Sequence, residues 1–117
     1  MLLLFALAAC VEMREQEFEK PPQLDADLVN YIEIDNRQDT MSAVQLSVLE
    51  KEEFVRRWNN AIPIGMCKYM PEYYIIVKLV NDSTKIYSAN GDCIKGGNDL
   101  CFKFNSNEYF DLLWKNK

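Results

Sequence analysis

The side chains with the most distinctive chemistry in this sequence are its four cysteines, Cys10, Cys67, Cys93 and Cys101. A cysteine can accept a lipid, form a disulfide or bind a metal as a thiolate. No two of these cysteines have the C-x-x-C spacing of a zinc site, so metal binding is not indicated. Lipid attachment and disulfide formation remain, and the surrounding elements decide between them.

Three of the cysteines lie in the body of the chain, and this odd number predicts one disulfide and one free thiol in an oxidising compartment. We favour the pairing Cys67–Cys101, because Cys67 directly precedes a candidate central strand and Cys101 lies within another strand. A Cys93–Cys101 pair would need a hairpin loop that places these two cysteines opposite each other. The alternative to a bridge is three unpaired, partly buried thiols, because cysteine is among the most buried residue types.

Histidine is absent from the sequence, and this excludes much of enzyme chemistry. A Ser-His-Asp triad, a Cys-His pair and a histidine-based metal site are all impossible. Asp25, Asp27 and Asn30 alternate as in part of a calcium loop, but the glycine and the closing glutamate of such a loop are missing. We therefore predict a protein that is not an enzyme and has no cofactor or metal. The enzymatic alternative is a hydrolase that uses two carboxylates, which would fit a glycan substrate.

The charge of the chain argues against nucleic acid as a partner. The formal net charge is -5, and the one tight basic pair is Arg56-Arg57. Affinity for a phosphate backbone needs clustered Lys and Arg side chains. An acidic domain is instead attracted to basic proteins.

The first ten residues, MLLLFALAAC, are uncharged and show neither helical nor strand periodicity. The run is far shorter than the roughly 20 apolar residues of a membrane-spanning helix. Leu7-Ala8-Ala9-Cys10 resembles the lipobox of bacterial lipoproteins, in which an aliphatic residue and two small residues precede a cysteine. The resemblance implies that residues 1–9 are a signal peptide and that Cys10 is acylated. No Lys or Arg precedes Cys10, which departs from the usual signal and suggests a natural start upstream of Met1.

A lipid on Cys10 would place the protein on a membrane of the bacterial cell envelope. The next residue is Val11 rather than Asp, which in enteric-type lipoproteins implies release to the outer membrane, on its periplasmic or surface side. Residues 10–27 are highly charged and contain Pro21-Pro22, which predicts a flexible tether after the lipidated cysteine. Residues 28–117 are predicted to form one domain.

Hydrophobic periodicity predicts strands at residues 28–35, 72–80, 85–89 and 100–104, with residues 43–48 and 93–95 as candidate short strands. The run EYYIIVKLV at 72–80 is almost continuously apolar, which is typical of a central strand covered on both faces. Helices are predicted at 48–61 and 106–115, each preceded by capping-box spacing: Ser47 with Glu50, and Asn105 with Glu108. Pro63 and Gly65 are expected to end the first helix. The fold class is α+β, a small antiparallel sheet built as a strand, a helix, a three-strand meander and a C-terminal helix, with the helices packed on one face.

The segment KYMPEYY, residues 68–74, is the candidate interaction site. It places Tyr69, Met70 and Tyr73 beside a proline, in a loop that leads into the sheet. Tyrosine and methionine are enriched at protein interfaces. The alternative is a loop whose aromatic side chains cover the edge of the core.

Several short stretches stand out in the domain: Trp58-Asn59-Asn60, GMCKY, Asn90-Gly91 with Ile94-Lys95, NDLCF and Trp114. Together they resemble small secreted or lipoprotein domains of unknown function, which implies no particular activity. We predict a lipid-anchored envelope protein that works as a non-enzymatic binding or accessory module, for example an inhibitor or immunity-type protein. Its predicted partners are the membrane and another envelope protein. The alternatives are a carboxylate-based envelope hydrolase acting on glycans and a purely structural envelope component.

Overall fold

A computed structural model of the protein describes residues 22–39, 42–96 and 100–117. These residues form a seven-stranded antiparallel sheet and two helices. The strands are β1 (Val29–Asn36), β2 (Val44–Gln45), β3 (Ile62–Met66), β4 (Tyr73–Leu79), β5 (Thr84–Asn90), β6 (Cys93–Lys95) and β7 (Leu100–Lys103). The helices are α1 (Val48–Asn59) and α2 (Tyr109–Lys115), and a short 3-10 turn, Ala26–Leu28, precedes β1. The predicted signal peptide and the predicted acylation of Cys10 lie outside the described residues.

The strands lie side by side in the order β2-β1-β4-β5-β6-β7-β3. This arrangement confirms the α+β class, with the sheet making up most of the domain. The meander has four strands, β4 to β7, rather than the predicted three, because the short β6 pairs with both β5 and β7. The hairpin predicted at Asn90-Gly91 joins β5 to β6, and Gly91 has the positive φ, 62°, that such a turn requires.

Strand β3 is not among the predicted elements. Pro63 and Gly65 predict only the end of a helix, yet both lie inside β3. A bulge between them, with φ of 85° at Gly65, lets this strand pair with β7. The preceding helix α1 is correspondingly shorter than predicted and ends at Asn59.

The hydrophobic core lies between the two helices and one face of the sheet. Alternate residues of the central strands point into it, because successive side chains of a strand face opposite ways. The core contains Ile32 and Ile34 of β1, Tyr73, Ile75 and Val77 of β4, Phe54, Val55 and Trp58 of α1, and Tyr109, Phe110 and Leu113 of α2. The Trp58 ring lies 4.8 Å from the Tyr87 ring of β5, and the Trp114 ring of α2 lies 6.4 Å from that of Tyr73. Both helices therefore cover the same face.

The two helices start differently. The predicted capping box of α1 is present: the Ser47 side chain accepts from the Glu50 amide at 3.2 Å, and the Ser47 amide donates to the Glu50 carboxylate at 2.9 Å. The predicted capping box of α2 is wrong. This helix begins at Tyr109, and its N-cap is Glu108, which has φ of 54° and makes no side-chain cap. Asn105 is instead part of a turn that follows β7, so the helix starts later than its spacing suggests.

Residues before β1 pack against α1. The Trp58 indole nitrogen donates to the Pro22 carbonyl at 2.7 Å. The Asn59 side chain accepts from the Leu24 amide at 2.8 Å and donates to the Leu24 carbonyl at 2.9 Å. Leu24 and Ala26 also contact the core. Within the described residues, the packed contacts thus extend back to Pro22, upstream of the domain boundary predicted at Leu28.

The two outer strands of the sheet are poor templates for further pairing. Strand β2 has only two residues. Strand β3 contains a bulge and Pro63, which has no amide hydrogen to donate. Short edges, prolines and bulges are the features by which natural sheets limit edge-to-edge association.

Candidate protein-binding face

We call the face of the sheet opposite the helices the open face. Its floor is formed by the side chains that alternate with the core residues along the three central strands. They are Tyr31, Glu33 and Asp35 of β1, Tyr74, Ile76 and Lys78 of β4, and Thr84, Ile86 and Ser88 of β5. The prediction that β4 is covered on both faces is therefore wrong for the described chain. The strand is central, but the helices cover only its core side.

Part of the open face is crossed by the segment that connects β3 at the edge to β4 in the centre. We call residues 67–71 the strap. Its Cys67 forms a disulfide with Cys101 of β7, with a Cα–Cα distance of 6.0 Å, which confirms the favoured pairing. The Tyr69 ring lies 4.9 Å from the Lys95 Nζ of β6, and the Tyr69 hydroxyl donates to the Ser88 carbonyl of β5 at 3.0 Å. The strap is thus fixed to three successive strands.

Cys93 remains a free thiol. In the register of β6 and β7, Cys93 lies opposite Lys103, whereas Cys101 lies opposite Lys95. Cys93 and Cys101 are therefore diagonal neighbours, which are typically about 7–8 Å apart, too far for a bridge without backbone movement. Burial and the neighbouring Asp92 raise the pKa of the Cys93 thiol, so the reactive thiolate is disfavoured.

The three residues of the predicted interaction site have different surroundings. Met70 is 79% exposed on the strap. Tyr69 is half-buried and holds the strap to the sheet, and this burial raises its pKa to about 12. Tyr73 is buried on the core side, where its hydroxyl donates to Asp111 of α2 at 2.6 Å. The structure does not bring the three side chains to one surface, and of the three only Met70 is largely exposed.

Two carboxyl groups meet where the strap enters β4. Glu72 is in hydrogen-bond contact with Asp111, and its pKa is raised, first by desolvation and then by the Asp111 charge. The acid and nucleophile of a glycan hydrolase stand about 5–10 Å apart to leave room for the reacting sugar, so this pair has a different geometry. Among the described residues there is also no group of three His, Cys, Asp or Glu able to hold a metal ion.

The centre of the open face is apolar. Ile76 of β4 and Ile86 of β5 lie directly opposite each other, and Ile86 is 62% exposed. Beside them lies Tyr74, with the Arg37 guanidinium 5.4 Å from its ring centroid. Ile76, Ile86 and Tyr74 are not among the interaction residues predicted from the sequence, although the unbroken apolar run of β4 indicates that its second face is apolar too.

Charges of opposite sign flank this apolar centre. Glu33 and Asp35 of β1 lie on one side, and neither forms an ion pair with another residue of the described chain. The other side carries an excess of lysines, Lys68 of the strap, Lys95 of β6 and Lys103 of β7, although the Lys95 ammonium lies over the Tyr69 ring and the Lys103 ammonium lies 3.8 Å from the Asp92 carboxylate. The open face is therefore divided into an acidic side and a basic side, with isoleucine and tyrosine between them.

A second concave region lies between the helices, away from the open face. Its cavity of about 290 Å³ is lined by Leu49, Glu50 and Glu53 of α1 and by Tyr109, Leu112, Leu113 and Asn116 of the C-terminal segment. The buried Tyr109 hydroxyl has no hydrogen-bond partner within the described part of the chain, and burial raises the pKa of Tyr109. The carboxylates at the rim are already paired, Glu50 with Lys117 and Glu53 with Arg56 and Arg57.

No family model, curated protein or solved structure matches the chain. None of the described helices has the length and apolarity needed to cross a membrane.

Proposed function

We propose that this protein is a lipid-anchored component of the bacterial cell envelope that works as a non-enzymatic binding or accessory module, of the inhibitor or immunity type. The open face is its contact surface for a protein partner. The observation that carries this proposal is the apolar centre of the open face, formed by Ile76 and Tyr74 of β4 and Ile86 of β5 on paired strands of the sheet.

Exposed apolar side chains on rigid strands favour protein binding for a simple reason. Removing apolar surface from water contributes roughly 25 cal/mol per Å². The floor is held by hydrogen bonds to neighbouring strands, and the strap is fixed by the Cys67–Cys101 disulfide. A partner would therefore gain the energy of burial with little loss of conformational entropy in this protein. Contiguous apolar patches with a charged rim are typical of interaction sites.

The lipid anchor is supported by the lipobox-like sequence that ends at Cys10. Each buried CH₂ of an acyl chain contributes about 0.8 kcal/mol, so two or more chains hold a protein stably on a membrane. Val11 after the cysteine favours the outer membrane. The tether would then present the domain to other proteins of the envelope.

Site-specific photo-crosslinking in cells tests the proposal. A photo-reactive amino acid replaces Ile86 on the open face, and in a matched control it replaces Leu112, which is 52% exposed on the helical side. The expected result is a discrete protein adduct from position 86 and none from position 112. Equal labelling at both positions, or no adduct from position 86, would count against the open face as the contact surface.

A further inference from the structure

We propose that the partner of the open face is a second copy of this chain, bound face to face so that two sheets form a sandwich with a two-fold axis along the strand direction. This inference rests on the proposed function, because it names the partner of the same surface. It is argued from the apolar centre, the separation of charge and the position of the strap.

Strand β4 is apolar on both of its faces. Tyr74 and Ile76 alternate with the buried Tyr73, Ile75 and Val77, so both sides of this strand are apolar. Strands of this kind are normally covered on both faces. The helices cover only one face, and a second sheet at about 10 Å is the usual cover for a flat antiparallel sheet.

The charges on the two sides of the open face are opposite in sign, and this favours one of the two possible two-fold axes. A two-fold axis along the strands places β1 of one copy over β6 and the strap of the other, so Glu33 and Asp35 face the partner's basic side. An axis across the strands would place β1 over β1 and set carboxylates against carboxylates. A closed dimer needs one surface that complements itself, and only the first operation provides this.

Two further basic groups lie near the floor without neutralising the acidic side. The Lys78 ammonium is turned to the β4–β5 connection, where it donates to the Asp82 carbonyl at 2.9 Å and to the Thr84 hydroxyl at 3.3 Å. Arg37 lies over the Tyr74 ring. The carboxylates of Glu33 and Asp35 remain available to a partner.

The two halves of the open face also differ in height. The strap lies on top of β5, β6 and β7 and raises that half of the open face, with Met70 79% exposed on it. No residue of the described strap is fixed to β1, so the half of the face next to β1 stays lower. The same two-fold axis sets the strap of each copy on the lower half of the other. Shape and charge therefore select the same axis.

The size of the face predicts a weak dimer. Strands of seven residues are roughly 23 Å long and lie about 4.8 Å apart, so a face four strands wide offers roughly 900 Å² over two copies. This area is smaller than that of standard stable complexes and is typical of weak, transient association. Tethering to one membrane would raise the effective concentration of the two copies.

The test is photo-crosslinking from position 86 in the full-length, membrane-bound protein, with the adduct identified by mass spectrometry. The expected adduct contains two copies of this chain and nothing else. Glu33→Lys alone and Lys68→Glu alone should each lower its yield about threefold to tenfold, and the two changes in one chain should restore it. Glu52→Lys, an exposed charge reversal on α1, is the matched control and should have no effect.

The outcomes separate this inference from the proposed function. An adduct with a different protein would show that the partner of the open face is not a second copy of this chain, and it would leave the binding function in place. Two-copy adducts that the double variant fails to restore would overturn the two-fold arrangement. No adduct at all would overturn both. Thermal unfolding of each variant by circular dichroism shows that lost crosslinking is not lost folding.

Discussion

Cys67 and Cys101 are separated by 34 residues, and their bridge closes the loop that contains the strap, β4, β5 and β6. Closing a loop of this size stabilises a fold by restricting its unfolded chain, typically by about 2–4 kcal/mol. Cys101 is fully buried beneath the strap, whereas Cys93 lies beside it with a disfavoured thiolate. The two kinds of cysteine should therefore respond differently to substitution.

Replacing Cys67 tests this difference. Cys67→Ser should lower the free energy of unfolding by about 2–4 kcal/mol, and a reducing agent should have no further effect on that variant. Urea unfolding with and without reductant measures both. Cys93→Ser is the control and should retain the sensitivity of the wild type to reductant. A wild-type protein whose unfolding is unaffected by reductant would contradict the structural role of the bridge.

Glu72 gives a prediction about pH. Burial and Asp111 raise its pKa, so the folded state binds this proton more readily than the unfolded state. Its contribution to stability is therefore present below the ordinary pKa of 4.5 and is lost as pH rises through the raised value. Glu72→Gln should unfold at a higher temperature than the wild type at pH 7 and at nearly the same temperature at pH 4.

The effect of this substitution should stay below about 1 kcal/mol, because solvent screens the charges of a partly exposed pair. Thermal melts at the two pH values provide the measurement, and Glu52→Gln on the exposed side of α1 is the control. A variant that is less stable than the wild type at pH 7 would show that Glu72 contributes attraction there instead of repulsion.

At the scale of elements, the two helices differ at their N-termini. Helix α1 has a side-chain cap, whereas α2 has none. Ser47→Ala removes the side chain that caps α1 and should cost about 1 kcal/mol of stability. Asn105→Ala should cost much less, because the only contact of Asn105 described here is its backbone carbonyl, which accepts from Arg57. Urea unfolding measures the loss in free energy of unfolding for each variant. Equal losses in the two variants would contradict the assignment of the caps.

Local patterns in the sequence were enough to place α1 and β4. The capping box at Ser47 and the apolar run at 72–80 both consist of residues that are close together in the chain. The observed bounds of α1 and β4 lie close to the predicted ones. Strand β3 could not be found in this way, because its pairing with β7 joins residues far apart in the chain and its Pro63 is a normal helix stop. The orientation of Tyr73 depends in the same way on its register with Asn36 and Ala89.

The candidate site was only partly visible in the sequence. Met70 lies at the strap, where a proline and aromatic residues indicated a loop. Ile86 became a candidate only when its register with Ile76 placed both on the face without helices. Exposure of a strand residue depends on which face the helices cover, and this is a property of the whole molecule.

At the scale of the whole molecule, the proposed lipid anchor and the domain lead to separate predictions. Cys10→Ala should abolish incorporation of labelled palmitate and release the protein from membranes, because the acyl chains are lost. The domain itself should keep its melting temperature, since the described packing starts at Pro22. Cys93→Ala is the control for labelling. Label retained in Cys10→Ala would contradict the lipoprotein assignment.

The short β2 and the bulged, proline-containing β3 have a consequence for crowding on a membrane surface. Neither edge can serve as the growing end of a filament, since each lacks a straight row of amide groups for another chain to copy. In the proposed pair, association covers the sheet face that the described helices leave open. Assembly through the described sheet is therefore expected to stop at a pair, even where many copies share one membrane.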